Sequence, residues 1–89
     1  MTLELFGMAR EVVGAPEVDL DVAEPATLRS LLAALAAQYP KLNGAVLDAT
    51  TSAPLEPNAV LLDGRRARDL DATITGADRP VLLFIPSGG

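Results

Sequence analysis

The sequence ends Pro86-Ser87-Gly88-Gly89. A Gly-Gly end has chemistry that needs no side chain. Glycine lacks Cβ, so the extended pair enters a narrow channel that any other residue would block. A terminal main-chain carboxylate has a pKa of about 3.5 and is ionised at neutral pH. It can act as an oxygen nucleophile towards an activated phosphate. Gly89 is then the reacting residue and Gly88 its slim approach, with Pro86 and Ser87 leading out of the domain. The plain alternative is an inert end, since termini rich in Pro, Ser and Gly often do nothing.

Elsewhere the composition removes most side-chain chemistry. The 89 residues contain no Cys, His or Trp. No Cys–His or Ser–His pair can form, no Cys/His zinc site exists, and no disulfide is possible. Seven Lys and Arg stand against twelve Asp and Glu, a net charge of −5. That balance is wrong for neutralising nucleic-acid phosphates or meeting an anionic membrane. The longest apolar run, Leu31 to Ala37, falls well short of the roughly 18–20 residues that span a bilayer. No secretory signal is visible after Met1, so a cytoplasmic location is expected.

Three further groups of residues invite a functional reading. If Leu3, Leu5, Val81, Leu83 and Ile85 face a covering helix, then Phe6, Leu82 and Phe84 point to the other face and make a partner-docking patch. Otherwise, residues 45–57 cover them. Aromatics make up only 3% of the chain, which gives exposed ones weight. Arg65, Arg66 and Arg68 form either a solvated hairpin arm or an electrostatic docking site for an acidic partner groove. Arg10 and Arg79 join this group under the same two readings. Glu17, Asp19 and Asp21 could suggest a hard-cation site, but a solvated strand face explains them, and no metal is expected.

These groups must be positioned by a small domain with an aliphatic core. Leu3 and Leu5 alternate with polar neighbours and predict a strand. Val18, Leu20 and Val22 alternate with Glu17, Asp19 and Asp21 and predict a second. Residues 9–16 then form the loop of an antiparallel hairpin. Thr27 is a helix N-cap, Leu28, Leu31, Leu32 and Leu35 make one helical stripe, and Pro40 ends the helix. Residues 50–57 read as a surface loop. Asp63-Gly64 predicts a hairpin turn between Ala59–Leu62 and the Arg65–Arg68 arm. Leu70 and Ile74 are small anchors under a loop, and Gly76-Ala77-Asp78 is a turn. Val81–Ile85 is apolar throughout, which suits a central strand. One helix over a small mixed sheet makes an α+β two-layer domain over residues 1–85, with 86–89 as a tail.

In this order the residues resemble the MoaD/ThiS family of ubiquitin-like sulfur carriers. The resemblance rests on Phe84-Ile85-Pro86-Ser87-Gly88-Gly89 and on Leu5-Phe6-Gly7-Met8-Ala9-Arg10-Glu11. It extends to Ala26-Thr27-Leu28 through Leu35 with Tyr39-Pro40, and to Asn58-Ala59-Val60 with Asp63-Gly64-Arg65. It implies a β-grasp fold and a non-catalytic protein with no bound cofactor. It also implies an adenylating partner of the ubiquitin-activating type, which uses ATP to activate Gly89. Sulfur transfer then makes a thiocarboxylate, consumed by a synthase large subunit or another acceptor enzyme, and molybdopterin is the leading product. The alternatives are a modifier joined through Gly89 to target lysines, or a sulfur carrier for thiamine, cysteine, tRNA thiolation or a specialised metabolite. Two features depart from the family pattern. Ser87 alone separates Pro86 from Gly-Gly, which shortens the tail's reach. Pro80 follows Gly76-Ala77-Asp78-Arg79 and removes a backbone donor.

Overall fold

A computed structural model describes residues 1–86. Strands β1 (Thr2–Leu5), β2 (Glu17–Asp19), β4 (Asn58–Leu62), β5 (Arg65–Ala67) and β7 (Val81–Phe84) form one mixed sheet in the order β2-β1-β7-β4-β5. Helix α2 (Leu28–Gln38) covers one face. The short strands β3 (Ala26–Thr27) and β6 (Thr73–Ile74) pair separately, antiparallel. This is the expected α+β, β-grasp arrangement.

Each main element follows from its residues. Thr27 is extended, and its Oγ1 accepts from the Ser30 backbone N–H at 3.1 Å, which caps α2 as expected. Leu28, Leu31, Leu32 and Leu35 are fully buried on one side of that helix. They pack with Leu3, Leu5, Val60 and Leu82 from the sheet. Asp63 (φ 50°) and Gly64 (φ 78°) both take the left-handed conformation that a two-residue hairpin turn requires, and Leu62 pairs with Arg65 across it.

Some expectations are corrected. Residues 9–16 are not a simple loop: α1 (Met8–Val13) forms there and buries Ala9. Ile74 is a buried strand residue of β6, not an anchor beneath a loop. Leu42, Val46 and Leu47 complete the main core instead of covering the outer sheet face. Asp48 organises the loop that follows. Its carboxylate accepts from the backbone N–H groups of Thr51 and Thr50, which hold its pKa below the usual carboxylate value.

The largest correction concerns the face of β7. Register pairs Leu82 with Leu5 on one side and Val60 on the other. Leu82 is therefore wholly buried under α2, and only half-buried Val81 and Leu83 lie on the opposite face. A strand apolar on both faces has no alternation from which to read its orientation, and the pairing register supplies it. Leu82 thus leaves the docking patch. Leu82→Ala should cost about 2–5 kcal/mol of stability, and Leu83→Ala distinctly less, in chemical denaturation. Equal costs would contradict this orientation.

Candidate functional site

Strands β1 and β7 run parallel, with Glu4 opposite Val81 and Leu5 opposite Leu82. Their C-terminal ends therefore lie together at one end of the sheet. The Phe6 N–H donates to the Leu82 carbonyl at 2.9 Å and carries the ladder one step past β1. Beyond β7, the Ile85 N–H donates to the Pro57 carbonyl at 2.8 Å, so the chain stays tied to the sheet up to the exposed Pro86. The tail residues Ser87, Gly88 and Gly89 lie outside the described residues.

An aromatic pair flanks this exit. Phe6 is 42% exposed and Phe84 47%. Phe84 shares its side of β7 with Leu82 but sits past the edge of the core. The Arg10 guanidinium lies 4.5 Å from the centroid of the Phe6 ring, and its Nε donates to the Leu5 carbonyl at 2.8 Å. One side chain thus fixes the end of β1 and stacks on the ring that projects from it. Exposed Met8 extends the apolar surface. Two of the three residues expected in the docking patch, Phe6 and Phe84, are therefore exposed at the tail exit. The sequence places Arg10 only among the arginines and in the turn after β1; its stacking on Phe6 is set by the α1 turn, which brings the ring beside it.

Gly7 makes this arrangement possible. Its φ of +71° disfavours other residues, and a Cβ there would meet the Phe84 Cβ at 3.0 Å. Gly7→Ala should destabilise the fold by about 1–3 kcal/mol and shift the Phe84 resonances in an NMR spectrum. Wild-type stability with unmoved Phe84 signals would show that the close approach is unimportant.

The arginine group divides. All three side chains are exposed, but β5 runs antiparallel to β4, so Arg65 sits by the hairpin turn and Arg68 near the tail exit. Arg66 pairs with Glu56 at 3.1 Å. Among the described residues Arg65 and Arg68 form no ion pair.

Arg66 and Arg68 also line a cavity of about 190 Å³ with Pro54, Asn58, Val60 and Leu70. Asn58 is the one buried polar residue among those described. Its Nδ2 donates to the Leu55 carbonyl at 2.9 Å, which orients the amide, and among the described residues its Oδ1 accepts no hydrogen bond. An unmet buried acceptor costs about 1–3 kcal/mol. Sequence patterning gives no sign of this residue, since a polar group at a strand's start normally reads as exposed.

Glu17, Asp19 and Asp21 are exposed. No group of three or more acidic residues among those described could hold a metal ion. No described helix is long and apolar enough to cross a membrane.

Comparison with known proteins agrees with this architecture. The model of the ThiS family matches residues 3–89. Small archaeal modifier protein 1 of Haloferax volcanii superposes with a TM-score of 0.78 at 30% identity, covering 100% of this chain and 98% of that one. Its namesake from Methanosarcina acetivorans gives 0.77 at 23% identity, over 99% and 94% of the two chains. A putative molybdopterin converting factor subunit 1 from Pyrococcus furiosus gives 0.67 at 19% identity, over 96% and 93%. The two structures below 25% identity speak for the fold alone. No curated protein matches the chain.

Proposed function

The chain belongs to the ThiS family, and we propose that it is a non-catalytic carrier whose reacting group is the Gly89 carboxylate. The observation that carries this reading is the parallel pairing of β1 with β7, which puts exposed Phe6 and Phe84 at the end of the sheet where Pro86 leaves it. A partner that grips the aromatic pair holds the tail's root and leads Pro86, Ser87, Gly88 and Gly89 into its own active site.

A carboxylate is a poor acyl donor, so activation comes first. In the activating partner, a Gly89 oxygen attacks the α-phosphorus of ATP and pyrophosphate leaves. A sulfide-level nucleophile then attacks the acyl carbon and displaces AMP, leaving a thiocarboxylate. The chain's part is to bind, present the tail and stay inert. It has no cysteine that could take the sulfur onto a thiol of its own. We assign the product to molybdopterin synthesis, with a synthase large subunit as acceptor, and place the protein in the cytoplasm.

A second reading has its own support. The 30% identity with small archaeal modifier protein 1 favours conjugation through Gly89 to lysines of other proteins. The chain has one lysine, Lys41, so polymeric chains built through lysine would have a single branching residue.

Intact mass spectrometry of the protein from its native cell separates the readings. An oxygen-to-sulfur exchange at Gly89 is expected for the carrier, and glycyl remnants on other proteins' lysines for the modifier. Neither product, with deletion of Gly89 harmless, would reject both. In the same system Phe84→Ala should remain folded and bind the activating partner about tenfold more weakly or worse. Unchanged binding would remove the aromatic pair from the docking surface.

A further inference from the structure

We infer that the open edge of β5, with the cavity beside it, docks an extended acidic segment of a partner protein. This inference does not depend on what happens at Gly89.

Among the described residues β5 ends the sheet, with β4 as its one neighbour in it. An edge strand offers free backbone groups to an incoming strand. Charged residues on a short edge are also the usual protection against unwanted pairing. Two observations go beyond protection. Three of the chain's seven basic residues lie within Arg65–Arg68, although the net charge is −5. The same edge also borders the cavity of about 190 Å³, which Asn58, Val60 and Ala67 help to line. Protection against pairing requires neither.

Strand geometry predicts the ligand's pattern. Side chains alternate in direction along a strand and match across a pair. Ala67 lies opposite Val60, on the core side, and lines the cavity. Arg66 lies opposite Leu61, so it leaves the strand on the other side, and Arg68 is the first residue past β5; both also line the cavity. An added strand therefore places acidic residues at i and i+2 against the two arginines. The residue between them faces the cavity. The cavity is small, which favours a small side chain there. The Arg66–Glu56 pair is exposed on the glutamate side and contributes little, so exchanging Glu56 for a ligand carboxylate is cheap.

Random-peptide phage display against the full chain tests this. Selected peptides should carry acidic residues at i and i+2 around a small one. Their affinity should fall about tenfold or more for the double variant Arg66→Glu, Arg68→Glu, and stay unchanged for Arg29→Glu on α2. Thermal melting confirms that the variants are folded. Failure to select peptides, absence of the acidic pattern, or full binding by the double variant overturns the proposal. Displacement by excess free glutamate overturns it in favour of an amino-acid site. Concentration-dependent self-association lost in the double variant overturns it in favour of a second copy's acidic β2.

Discussion

The parallel pairing of β1 with β7 is the contact on which the rest depends. The first and last strands of the sheet meet at its centre, and both point the same way. Parallel neighbours cannot be joined by a tight turn, so everything between them is crossover. That crossover contains α2, which covers one face, and the β4–β5 hairpin, which extends the sheet beyond β7. The same pairing puts Phe6 and the exit of β7 at one end. The candidate docking surface thus follows from the strand arrangement and needs no element of its own.

Around this centre the molecule is economical. Its core is aliphatic, built mainly from leucines on α2, β1 and β7 and completed by Leu42, Val46 and Leu47. With no cysteine to form a disulfide, a chain of 89 residues relies on that packing and on well-made turns. The turns are specific: Thr27 caps α2, Asp48 gathers the N–H groups of Thr50 and Thr51, and Thr75 with Asp78 forms a capping box before β7. Gly7 is a special case, because its missing side chain lets the start of α1 lie against Phe84. A structural close approach and a candidate docking residue are thus coupled at one position.

The two sheet edges differ in charge. Glu17 and Asp19 lie on β2, and Arg65 and Arg66 on β5. Opposite charges on opposite edges guard against indiscriminate pairing and allow each edge to select its partners. The tail exit adds a third, aromatic surface. Because β5 is antiparallel to β4, Arg68 and the cavity beside Asn58 lie at the same end of the sheet as that exit.

Much of this was legible in the sequence because local physics decides it. The period-two patterns of β1 and β2, the leucine stripe and Thr27 cap of α2, the Asp63-Gly64 turn and the central position of β7 needed only neighbouring residues. The proposal of main-chain chemistry at Gly89 likewise rests on the Gly-Gly end and the lack of Cys and His in the sequence. Tertiary structure decided what depends on register and on distant partners. It turned Leu82 into the core and brought Arg10 over Phe6. It set Gly7 against Phe84, parted Arg65 from Arg68, and left the Asn58 oxygen buried without a donor among the described residues. The physical reason is the same each time. A strand's hydrogen-bonding register determines which face every side chain takes, and register is a property of two segments far apart in the chain.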